Sequence, residues 1–147
     1  MNGDVPKQST RTAVSSGTVW ERLAGYSRAV RYGNHIYVSG TTATAPDGEV
    51  VGRGDPAAQT HFVIDKIEQA LQQLGGCLED TVRTRLYIRH ITDWEPVARI
   101  HGERFGPIRP ANTLVQAQLV GDDYLVEMEA EAVIGAGAAL TETAHEI

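Results

Sequence analysis

The sequence predicts an α/β domain in which one layer of two helices lies on a mixed sheet. Three observations predict it. Two stretches repeat apolar residues at helical spacing, and each lies between stretches that alternate apolar and polar residues. Glycine-bearing turns separate the other alternating stretches. The 147 residues are the size of one ordinary domain with a core of its own. Each helix then links two strands in a crossover, and both helices cover one face of the sheet. The opposite face must meet water or another subunit.

The elements follow in the order β-β-β-α-β-α-β-β. Residues 1–18 are polar and carry no periodic pattern, so they are expected to be a flexible segment before a domain over 19–136. Tyr26 to Arg31 and His35 to Ser39 flank Gly33-Asn34, a pair suited to the positive φ angles of a tight hairpin turn. Ile36 and Val38 share one face of the second strand; His35, Tyr37 and Ser39 share the other. Ala45-Pro46-Asp47-Gly48-Glu49 is a second turn, and Val50-Val51 extend a short strand after it.

Asp55-Pro56 opens the first helix. The Asp55 side chain can cap free N–H groups, and proline suits the first helical position. Val63, Ile67, Ala70, Leu71 and Leu74 form its apolar stripe, Lys66, Glu68, Gln69 and Gln72 its wet side, and Gly75 stops it. Thr81 to Arg89 alternates as a half-buried strand. A second helix runs from Asp93 or Trp94 to about Phe105, with Val97, Ile100, His101 and Phe105 on one stripe. Thr113 to Leu119 and Tyr124 to Ile134 are the last strands, joined by a turn at Gly121-Asp122-Asp123. Residues 137–147 form a weak C-terminal tail.

Composition excludes several function classes. The net charge of -6 weighs against a non-specific nucleic-acid binder, which needs cations to displace phosphate counterions. No apolar run approaches the roughly 20 residues of a membrane-spanning helix, and the polar start carries no signal peptide pattern. A cytoplasmic location is the expectation. The single cysteine, Cys77, cannot form an internal disulfide and reads as an incidental small residue. No histidine pair at metal-ligand spacing, no phosphate-binding glycine loop and no nucleophile elbow occurs, so no metal or cofactor is expected.

The C-terminal third carries the most specific pattern. Arg109-Pro110-Ala111-Asn112-Thr113 is followed by Val126-Glu127-Met128-Glu129-Ala130, and upstream stand Gly25-Tyr26, Gly33-Asn34, Ile36-Tyr37-Val38-Ser39-Gly40, Gly48-Glu49-Val50 and Leu74-Gly75-Gly76. In this order and spacing they resemble the Rid family, also called YjgF. The resemblance spans Tyr26 to Val133. It implies a chorismate-mutase-like fold and a homotrimer whose sheets build a central barrel, with small-molecule clefts between subunits. It also implies hydrolysis of enamines and imines to keto acids and ammonia without a cofactor. Some members have been labelled endoribonucleases.

In the catalytic branch an arginine grips the substrate carboxylate, and a glutamate 15 positions later handles water. The glutamate corresponds to Glu127, the arginine to Asn112, a tyrosine to Tyr26 and a pocket serine to Ser39. Asn112 offers a donor and an acceptor but no charge, so a bidentate grip on a carboxylate is lost. Each charged hydrogen bond so lost is worth about 1.5–3 kcal/mol. The resemblance therefore implies an imine or enamine hydrolase whose substrate is not the usual 2-aminoacrylate type. Arg28, two residues beyond Tyr26 and on its face if pairing is regular, is the candidate replacement cation; Arg31 and Arg109 are weaker ones. Each of these residues also has a bland reading. The three glutamates of the last strand could be a wet face, the arginines solvated, Tyr26 an interface aromatic, Ser39 a strand end and His101 a core histidine. A non-catalytic metabolite-binding trimer is the alternative function. The acidic charge disfavours RNA cleavage.

Overall fold

The computed structural model describes residues 10–140. Residues 1–9 of the expected flexible segment and 141–147 of the expected tail lie outside the described residues. The strands are β1 (Arg11–Val14), β2 (Ala29–Tyr32), β3 (His35–Thr42), β4 (Thr81–Ile88), β5 (Ala111–Gln116) and β6 (Val126–Val133). The helices are α1 (Val19–Ala24), α2 (Pro56–Gln73) and α3 (Trp94–Phe105). The six strands form one sheet in the order β1-β2-β3-β6-β4-β5. It is mixed: β4 and β5 run parallel and the other neighbours antiparallel.

The fold class agrees with the sequence reading, and three elements depart from it. Arg11–Val14 is an edge strand paired with β2, inside the stretch expected to be flexible. The helix α1 was not expected, nor was the exposed loop that holds Tyr26. The anticipated strand at Val50-Val51 is only one bridge, Thr44 to Val50, because the turn closes after a single pair. The first three strands are thus β1, β2 and β3, not the set ending at Val51.

The long elements form for the reasons their sequences give. Asp55 accepts a hydrogen bond from the Ala58 N–H at 3.0 Å, with Pro56 opening α2. Gly75 follows the helix with φ +86°, where a Cβ would be strained. On β6, Val126, Met128, Ala130 and Ala132 are buried beneath α2, and the glutamates between them face away. Val63, Ile64, Ile67 and Leu71 of α2, with Val97 and Phe105 of α3, complete the core. Each such side chain contributes about 1.5–3 kcal/mol by leaving water. Gln59 is fully buried and satisfied: its amide donates to the Gly52 and Asp123 carbonyls and its oxygen accepts from the Leu125 N–H. It ties both loops at that end of the sheet to α2.

Candidate active site

The three glutamates of β6 are not equivalent. Glu129 accepts from the Tyr87 hydroxyl at 2.8 Å and from Arg85 at 3.4 Å. Glu131 accepts from Arg85 at 3.1 Å. Glu127 makes no hydrogen bond or ion pair among the described residues. Burial raises its carboxyl above the ordinary value of 4.5; the Arg28 guanidinium pulls the other way, and Glu129 adds to the rise.

A bulge in β3 makes the room for this group. The β3–β6 register shifts between Val38 and Thr41, which inserts an extra residue at Ser39-Gly40 opposite β6. A Cβ on Gly40 would overlap Glu127 Oε1 and sit 3.2 Å from its Cδ. Glycine here leaves the carboxylate its place, which a Cβ would take. Ser39 donates its hydroxyl proton to the Ser27 carbonyl at 2.7 Å, so its free lone pairs are what it can offer a ligand.

Arg28 is neither solvated nor free. It is 5% exposed. Its Nη1 donates to the Gly40 carbonyl at 2.6 Å and the Thr41 hydroxyl at 2.9 Å, Nε reaches Ser16, and Nη2 lies 3.6 Å from Glu21. Burial works against the Glu21 carboxylate, but hydrogen bonds from Ser16, Thr18 and Ser15 outweigh it and hold its pKa at about 2. Arg28 is thus an internal cation paired with a permanent anion. The face it was expected to share with Tyr26 does not exist as a strand face, since Tyr26 lies in the loop before β2. The two still meet, the guanidinium carbon standing 5.7 Å from the Tyr26 ring centre. Arg31 clamps the Gly33 and Leu74 carbonyls and is structural. Arg109 is exposed, with φ +54°.

Tyr26, Arg28, Ser39 and Glu127 therefore gather around the β3 bulge. Asn112 does not join them. It pairs with Thr84 on β4, and its amide donates to Thr84 Oγ1 at 2.9 Å. Thr84 Oγ1 is also 2.8 Å from His101 Nε2, and burial lowers the pKa of that imidazole. His101 in turn stacks on Phe105. Asn112 belongs to the helix-covered face and Glu127 to the opposite one. Two strand spacings and three residues separate them, about 10 Å across the sheet and about 10 Å along it.

The family model described as Endoribonuclease L-PSP matches residues 18–134. The chain belongs to this family, which is also the YjgF, RutC or Rid family. An uncharacterised Streptomyces coelicolor member is 38% identical over 124 residues, 84% of this chain and 92% of that one. The 3-aminoacrylate deaminase RutC of Acinetobacter baylyi is 36% identical over 106 residues, 72% of this chain and 84% of its own. Among solved structures of YjgF proteins, Rv2704 from Mycobacterium tuberculosis superposes with a TM-score of 0.77 at 43% identity, covering 85% of this chain and all of its own. The Escherichia coli YjgF product superposes with a TM-score of 0.72 at 26% identity, covering 84% of this chain and 98% of its own.

Several residues that shape the site of this YjgF-family chain carried no clear sequence signal. Thr84 looked like one more residue of a buried strand face, yet it joins Asn112 to His101. Glu21 had a legible signal in Thr18-x-x-Glu21, the spacing of a capping box, with the Thr18 hydroxyl 2.8 Å from the carboxylate. Burial and its hydrogen bond to Asp80 push the Cys77 thiol up to about 11, which disfavours the nucleophilic thiolate. No described helix is long and apolar enough to cross a membrane.

Proposed function

We propose that the protein is a cytoplasmic hydrolase of imines and enamines, acting in a cleft that two subunits of a homotrimer build together. One observation carries the reading: of three glutamates on one strand face, Glu127 alone has no side-chain partner among the described residues, and it is half-buried and raised in pKa. Such a carboxylate is a competent general base. It takes a proton from water as the oxygen attacks the imine carbon, and the C=N electron pair moves to nitrogen. The proton then passes to that nitrogen to give a carbinolamine; Glu127 next carries the hydroxyl proton to the nitrogen, the C–N bond breaks, ammonia leaves and the oxygen lone pair closes the carbonyl. The imine carbon is already electrophilic, so no cofactor is required. The family relative named 3-aminoacrylate deaminase supports this class of reaction.

The division of the site supports the assembly. β5 is an open sheet edge with Val115 43% exposed. A neighbouring subunit at that edge supplies a Glu127 cluster to each Asn112. Asn112 then orients a neutral carbonyl, amide or hydroxyl of the substrate, Tyr26 walls the cleft and Ser39 accepts a hydrogen bond. Arg28 acts on Glu127 through its field, with Glu21 as its own counter-ion, so Arg28 does not itself grip a substrate carboxylate.

Enamines generated in situ from serine, leucine or aromatic amino acids test the reading by ammonia release. Faster decay than in buffer, lost in Glu127→Gln, supports it; no acceleration with any of them overturns it. A second reading is favoured by the Asn112 amide being engaged with Thr84. In it the cleft binds a metabolite without turnover, and saturable binding with no ammonia release is its signature.

A further inference from the structure

Beyond the hydrolase reading, a cavity of about 670 Å³ lies between α2, the segment Ser15–Trp20 and the turn at Ala45–Gly48. Trp20, Phe62 and Pro46 supply apolar walls, and Lys66 and Gln69 project from α2. None of Tyr26, Ser39, Asn112 or Glu127 lines it; Arg28 alone touches both regions.

Lys66 was expected on the wet side of its helix. The N-terminal loop covers that side and half-buries the side chain instead. Its Nζ donates to the Thr44 carbonyl at 3.0 Å and the Thr42 carbonyl at 3.4 Å. No carboxylate pairs with it among the described residues. Glu21, across the cavity wall, is committed to Arg28; Asp65 on the same helix pairs with Arg104 at 2.8 Å; Asp47 belongs to the turn. Two carbonyl acceptors suit a neutral amine, which has two protons to give. Its lone pair then points away from both carbonyls.

We propose that this cavity binds small aromatic or branched carbonyl compounds and that the Lys66 amine condenses with them reversibly as a Schiff base. The nitrogen lone pair adds to the carbonyl carbon, both amine protons leave with the carbonyl oxygen as water, and an imine remains. Water reverses the step, so no oxidant or reductant takes part. Burial, helped by the Arg28 charge and opposed by Glu21, lowers the Lys66 pKa to about 8, which leaves much of the amine unprotonated in mildly alkaline solution.

The sequence makes the test clean, because Lys7 and Lys66 are its only lysines. The full-length protein is incubated with 2-hydroxybenzaldehyde and cyanoborohydride across a pH series, and the adducts are located by peptide mass spectrometry. Lys66 is expected to react at least about tenfold faster than Lys7 near pH 8, with saturation in aldehyde and a pH midpoint near 8. Trp20→Ala raises the half-saturating concentration several-fold, while Glu127→Gln leaves the labelling unchanged. That control separates this cavity from the hydrolytic site. Lys66 labelling no faster than Lys7, or rising linearly without saturation, overturns the proposal in the unmodified protein.

Discussion

Asn112 and Glu127 stand on opposite faces of one sheet, two strands apart. Asn112 is held by Thr84 above β4, and Glu127 lies beside the Gly40 bulge below β3. Under the proposed assembly, each cleft would join the Asn112 of one subunit to the Glu127 of its neighbour.

Glu127→Gln is expected to reduce enamine hydrolysis by about 100-fold or more, because a general base contributes that order of rate. In the parent, activity rises with pH through a midpoint above 4.5, since the ionised form is the base. Stability takes the opposite sign. The folded state holds its proton more tightly than the unfolded state, so ionisation weakens folding as pH rises through that window. The variant should melt no lower than the parent at neutral pH, and thermal melts beside the rate profile check both.

Gly40→Ala separates room from backbone freedom. Gly40 does not use the left-handed region, so alanine suits its backbone, yet the new Cβ meets the Glu127 carboxylate. The expected result is a folded protein whose kcat falls by about tenfold or more through displacement of the base. Unchanged kcat in a variant whose crystal structure shows the Glu127 carboxylate displaced would remove Glu127 from the chemistry.

Asn112→Arg is expected to gain about tenfold or more in turnover of carboxylate-bearing enamines, the worth of one charged hydrogen bond. His101 does not oppose the added cation, because burial disfavours the charge on its imidazole. Comparing kcat/KM for carboxylate and amide versions of one substrate reads the change.

Glu21→Gln should cost on the order of 2 kcal/mol at neutral pH, where the buried Arg28 loses its anion. The native Glu21 pKa is about 2 against an ordinary 4.5, so its contribution is complete above the ordinary value and is lost as pH falls toward 2. Urea unfolding of both proteins at several pH values should show the difference closing at the acid end.

Much of this architecture was legible in the sequence where local and global signals agree. Asp55-Pro56, the apolar stripe and Gly75 delimit α2, and the alternation of β6 assigns Met128 inward and Glu127 outward. The misses have physical reasons. Arg11–Val14 is a four-residue edge strand whose stability comes from pairing with β2, which no local pattern encodes. Glu129 and Glu131 are engaged by Arg83, Arg85 and Tyr87 on the neighbouring strand, whereas Glu127 lies against the Gly40 bulge, and none of this shows in the alternation of β6. Lys66 looked solvated because the loop that covers it is distant in sequence.

Subunit complementation tests the shared cleft most directly. Glu127→Gln and Asn112→Trp, each inactive alone, are unfolded together, refolded as mixed oligomers and assayed for ammonia release. Random mixing should restore up to about one quarter of the parent activity, since that share of clefts pairs an intact Glu127 with an intact Asn112. Mixed oligomers that form and stay inactive, or a protein that sediments as a monomer while remaining active, would contradict a site shared between subunits.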